Sequence, residues 1–155
     1  MNSRFEIIDL TYLESITEGN ISLIREFISI FLEQADEFQK GFERYFNNKQ
    51  WKELGALAHK AKSSVISMGM TELGNYELKN LELIAKQFRI KELKQMDVLT
   101  SREVEELNYI QTQFDSFPAD KKKWFINNTN VAAIERIISK YNTICNEAIK
   151  ELKVV

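Results

Sequence analysis

One proline, five glycines, one cysteine and one histidine are all that this 155-residue chain holds of four residue types that punctuate folds or carry chemistry. So few turn-formers exclude a many-stranded β protein, whose hairpins call for glycine and proline at short intervals. The lone cysteine, Cys145, excludes an internal disulfide. No apolar run is long enough to cross a bilayer or to act as a secretory signal, so a cytoplasmic location with no membrane partner is expected. Charge of one sign is missing too. With 21 basic and 23 acidic side chains the net charge is −2, and the chain as a whole is no electrostatic match for nucleic acid. A single histidine beside a single cysteine makes a zinc site improbable, so no metal ligands are assigned. No glycine-rich phosphate loop is present to hold a nucleotide.

What is present suits a helical domain. Hydrophobic residues make up 44% and charged residues 28%, the balance of a chain that can bury a full core. The length fits one domain, residues 1–155, and the abundance of Glu, Lys and Leu points to an all-α fold. "FEIIDLTYLESITEGN" predicts a short amphipathic helix ending near Gly19, with Asn20 capping the next. From 21 to about 46, Ile24, Ile28, Phe31, Ala35, Phe38, Phe42 and Tyr45 recur at steps of four and three, and Phe27, Ile30 and Leu32 widen that stripe. A third helix is expected from Trp51 to Met68, before Gly69. A fourth, from Glu72 to Phe88, has Thr71 as its cap and Leu73, Leu81, Ile84 and Phe88 on one side, with Glu77 and Asn80 falling inside the same face. The last helix carries Ile134, Ile138, Tyr141, Cys145, Ala148 and Leu152.

Four long amphipathic helices with short early connections predict an antiparallel four-helix bundle with the short N-terminal helix across one end. Residues 89–128 are then a partly helical insertion before the last helix. They contain "TSREVEELNYIQTQF", opened by a capping box at Thr100 or Ser101, and a proline-containing loop. The alternative makes 100–115 the fourth bundle helix and packs the C-terminal helix outside. "KKKWF" at 121–125 reads as a solvated loop anchored by its two rings, with polyanion binding through Lys121, Lys122, Lys123 and Trp124 as a weaker reading.

The only histidine lies in "LAHKAKSSVISMGM". At about 100° per residue, Leu54, Leu57, Ala61, Ser64 and Met68 fall within roughly 40° of the direction opposite His59. His59 therefore points away from the core, which argues against a buried structural histidine. Its own face holds Gly55, Lys62, Ser63 and Ile66. Gly55 interrupts a helix where no turn requires glycine, and Ile66 is apolar where a solvated face is polar, so this face reads as a flat landing surface for another protein. A solvated imidazole offers a ring-nitrogen lone pair, and Lys62 one turn on supplies a positive charge for a phosphoryl group.

"HKAKSSVISMG" resembles the signature of histidine-containing phosphotransfer (HPt) domains, H-x-x-K-G-[SA] followed by a glycine. His59, Lys62, Ser64 and Gly69 stand at the histidine, lysine, small-residue and glycine positions, and Leu73 at that of the next helix's leucine. The resemblance covers residues 1–88 and 129–153. It implies a phosphorelay intermediate of two-component signalling. His59 would accept a phosphoryl group from a receiver-domain aspartate and pass it to another receiver, with Lys62 neutralising the phosphoryl oxygens. It implies a monomeric carrier rather than an autonomous kinase, without a cofactor of its own, Mg²⁺ belonging to the partner receiver. Gly69 and Ser64 would be structural, and Gly55, Ser63, Ile66 and Ile16 would form the binding face. Two positions depart from the pattern. Ser63 replaces the glycine after the lysine. Leu81 occupies the place, roughly twenty-two residues after the histidine, where the family has a residue orienting the imidazole, leaving Glu82 if the register slips, or Glu77. The other functional class compatible with these features is a helical adaptor that binds signalling proteins without carrying phosphate.

Overall fold

The apolar stripe on the second helix is buried as its spacing predicts, and the third helix makes the most extensive packing with its neighbours. In the computed structural model, which describes residues 5–155, the described residues form seven α-helices and no strand. These are α1 (Thr11–Thr17), α2 (Ile21–Asn47), α3 (Trp51–Ser67), α4 (Lys79–Lys94), α5 (Ser101–Asp115), α6 (Ala119–Asn128) and α7 (Val131–Leu152), and a π-helical stretch, Leu73–Leu78, leads into α4. Helix α2 packs on α3 and α7, α3 on α4, and α7 closes the ring against α4 and the π-helical stretch. Helix α1 lies on α2, and α5 lies on α4.

Three helices begin at side-chain caps, but the fourth does not begin at the expected Thr71 cap: Thr71 lies inside the helical stretch, and neither the π-helical stretch nor α4 has a side-chain cap. Asn20 Oδ1 accepts from the amides of Ser22 and Leu23. Thr100 and Glu103 form a reciprocal capping box at α5. Asn130 Oδ1 accepts from Ala133 N at 2.8 Å to start α7.

Several expectations need correction. The N-terminal segment is helical only over Thr11–Thr17, because the amides of Glu6, Ile7 and Ile8 donate to the Glu151 carboxylate on α7 instead of building helix. On α2, Phe27 and Ile30 do not widen the core; they are 40% and 52% exposed. On α7 Ile137 rather than its neighbour Ile138 joins the fully buried stripe, and Ile138 is half-buried at the core's edge. Helix α4 runs on to Lys94, since Ile90 and Leu93 are buried and Arg89 is held by Glu106 of α5. The extra segment therefore begins after Lys94. Its second half is helix α6 rather than a loop, with Pro118 just ahead of the first turn and Phe125 buried against Phe114 and Phe117. Helix α7 carries a full buried stripe, against the alternative that packs it outside. Among the described residues no helix is long and apolar enough to cross a membrane.

Candidate functional site

His59 stands on the outer side of α3, with its side chain 68% exposed. The placement follows from the stripe of Leu54, Ala61, Ser64, Val65 and Met68, which is buried on the opposite side. One ring nitrogen is nevertheless fixed: Nδ1 lies 3.0 Å from Oε2 of Glu82. Glu82 belongs to the first turn of α4, and its side chain is only 4% exposed. Three lysines surround it, with Lys62 Nζ at 2.8 Å from Oε1, Lys86 Nζ at 3.1 Å from Oε2 and Lys79 Nζ at 3.8 Å from Oε1.

Burial by itself raises the Glu82 pKa. Hydrogen bonds from Lys62 and Lys86, with the charges of Lys86 and Lys79, more than reverse it and hold the carboxyl down at about 2. An ionised carboxylate only accepts, so the hydrogen-bond network assigns the ring proton to Nδ1 of the neutral imidazole. That leaves the Nε2 lone pair without a protein partner among the described residues. For Lys79, burial lowers the pKa of the ammonium, with the Glu82 charge opposing.

The π-helical stretch brings Glu82 to this position. A π turn accommodates one more residue than an α turn, so everything downstream rotates by about one residue, roughly 100°. Leu81 consequently lies fully in the core, and the next residue faces the imidazole. Gly74 inside the stretch permits close contact with α3, where a Cβ would stand 2.5 Å from Ile66 Cγ1 and 3.1 Å from the Lys62 carbonyl. Glu77 is not at this site. It is buried on the other side of the stretch, 2.9 Å from Lys140 Nζ and 3.5 Å from Arg136 of α7.

The remaining expected residues divide. Ser63 is exposed beside the histidine. Ser64 is buried, and its hydroxyl donates to Gln34 Oε1 of α2 at 3.1 Å. Gly69 has φ +84°, and the backbone of Asp9 approaches so closely that no side chain fits; Asp9 N donates to the Met68 carbonyl at 3.0 Å. Ile16 is 48% exposed on α1. Two readings of the landing face change. Ile66 is half-buried over Gly74, and Gly55 is buried against Ala85 and the Glu82 carbonyl, in the α3–α4 seam rather than on an open face.

His59 thus stands on a ridge between two hollows. One, of about 400 Å³, lies toward α2 and is lined by Phe27, Ile30, Gln34, Ser63 and Ser67. The other lies toward α4 and α5 and includes Glu82 and Lys86. Lys86, Lys79, Phe27 and Ile30 are site residues that the sequence reading missed. The signal for Lys86 was its position four residues after Glu82, on the same helix face. For Phe27 and Ile30 it was an apolar stripe too wide for one seam. Among the described residues no group of three or more His, Cys, Asp or Glu side chains is placed to hold a metal. Comparison with known protein families, with curated proteins and with solved structures finds no match to this chain.

Proposed function

We propose that this chain is an HPt-type phosphorelay intermediate in two-component signalling, with His59 as phosphoacceptor. The observation that carries the reading is the exposed imidazole whose Nδ1 is held by a buried, ionised glutamate. In this reading α2, α3, α4 and α7 are the rods of an antiparallel four-helix bundle, α1 lies across one end, and α5 and α6 are the insertion. The histidine Nε2 lone pair attacks the phosphorus of a receiver's aspartyl phosphate. A P–N bond forms, the P–O bond to the aspartate breaks, and the carboxylate leaves with its electron pair. The proton stays on Nδ1, and Glu82 offsets the positive charge that the ring acquires. Lys62 and Lys86, bonded to the two oxygens of Glu82, are the cations assigned to the transferred group in this reading.

The receiver supplies Mg²⁺ and its own catalytic groups, so the chain is a carrier and substrate rather than an autonomous kinase. It would dock across α1, α2 and α3, where Phe27 and Ile30 are exposed in the hollow that also holds Ser63 and Ile16 is exposed on α1. Exposed large apolar side chains near a reactive residue, an aromatic among them, are what an interface uses as anchors.

The test is incubation of the purified chain with a receiver phosphorylated on its aspartate. Uptake of an acid-labile, alkali-stable label by the wild type and none by H59Q is the expected result. No transfer from any of a panel of receivers sinks the relay. Binding that persists without transfer indicates the adaptor instead.

A further inference from the structure

On the side of His59 away from α2, helix α5 stands against α4 and turns the α3–α4 seam into a cleft of about 470 Å³. Its floor is made of small residues, Gly55 and Ala56 of α3. Its apolar sides come from Trp51, whose ring is stacked on Phe88 at 4.5 Å, and from Ile110 and Tyr109 of α5. Tyr109 is 69% exposed, a large ring lying open at the mouth.

The charges around this apolar interior do not cancel. Four cations, Lys52, Lys86, Arg89 and Arg102, line it against three acids, and each acid is already engaged: Glu82 by its lysines, Glu106 by Arg89 at 2.8 and 3.0 Å, and Glu103, which keeps its charge, by the Thr100 amide. The cations at the rim are not. Arg102 has no ion-pair partner among the described residues, and Lys52 has only a 3.9 Å contact with Glu106. A concave site of this volume, apolar within and carrying a few convergent polar groups, has the dimensions of a small-molecule site rather than of a protein-docking face.

The geometry points to this cleft as a binding site for a small amphipathic organic anion. A flat apolar body lies on Gly55 and Ala56 between Trp51 and Tyr109, and its acidic group reaches Arg102 and Lys52. The site does not depend on phosphoryl transfer, so either reading can fail without the other.

The probe is 8-anilinonaphthalene-1-sulfonate, an aromatic sulfonate, set against its uncharged counterpart N-phenyl-1-naphthylamine. Both are titrated into the full chain by fluorescence. Two variants at exposed positions are compared, A56W to fill the floor and R102E to reverse the rim charge. Retained helical signal and cooperative melting show that each is folded. The expected result is saturable one-to-one binding of the sulfonate, lost in A56W and weakened about tenfold in R102E, with the neutral dye unaffected by R102E. Absence of saturable binding to the wild type overturns the site. So does sulfonate affinity that R102E leaves unchanged, or a loss in R102E equal for the two dyes. If A56W does not fold, the R102E comparison decides alone.

Discussion

His59 Nδ1 and Glu82 Oε2 lie 3.0 Å apart across 23 residues of sequence, one on the exposed side of α3 and the other buried on α4. The pair links solvent to the interior through a single hydrogen bond, and the interior end is held by Lys62, Lys86 and Lys79. A buried carboxylate with three cations about it bears on folding as well as on the proposed transfer.

Glu82 should make stability pH-dependent in the acid range. Its carboxyl is held at about 2 in the folded chain, below the ordinary 4.5. A depressed carboxyl contributes stability that is fully present above the unfolded-state value and is lost as pH falls from about 4.5 toward 2. Resistance of the wild type to urea should therefore fall across that window. E82Q should be about 2 kcal/mol less stable at pH 7 and should lose less on acidification. Parallel profiles for the two proteins would show that the lysines do not stabilise the charged form.

In the proposed relay, phosphoryl transfer should depend on two lysines, not one. K62A and K86A each remove a charge-assisted hydrogen bond to Glu82 and a cation near the ring, so each should slow labelling of His59 by roughly tenfold. Single-turnover transfer from a phosphorylated receiver measures this. An unchanged rate in K86A would leave Lys62 as the only contributing cation.

The exposed aromatic on α2 should matter for docking and not for folding. F27A with I30A should weaken receiver binding by about tenfold, while the melting temperature moves little because neither side chain is in the core. Calorimetric titration and a thermal melt on the same sample separate the two. A large fall in melting temperature would return these residues to the core.

Two glycines should respond in opposite directions. At Gly69 the backbone is left-handed, and a Cβ would meet Asp9 backbone atoms, so G69A should cost roughly 2 to 3 kcal/mol. At Gly55 a Cβ would stand 3.5 Å from Ala85 Cβ and 3.6 Å from the Glu82 carbonyl, ordinary contact. G55A should therefore be neutral or stabilise by about 0.5 to 1 kcal/mol through helix propensity. Denaturant midpoints at constant slope would check both.

Much of the helix layout is legible because burial in a helix leaves a 3.6-residue signature. The stripes on α2 and α7 and the outward direction of His59 follow from it. What periodicity does not carry is which of two adjacent apolar residues reaches a seam. Ile137 rather than Ile138 is fully buried, and Phe27 and Ile30 stay out, because the neighbouring helix decides how wide a stripe it covers. Local pattern also misread both ends of the chain's irregular parts. Residues 5–10 read as helix until Glu151 claims the amides of Glu6, Ile7 and Ile8, and α6 reads as loop until Phe114 and Phe117 give Phe125 a place to pack.

By itself the sequence determined the helical class, the cap at Asn20, a capping box at the start of α5, and a histidine that no core stripe includes. These depend on near neighbours along the chain, where backbone geometry alone sets the relationship. Only the tertiary structure decided that Glu82, and neither Leu81 nor Glu77, meets the imidazole. A π turn shifts register by a single residue through close contact between Gly74 and α3, and that contact exists only once the helices have packed.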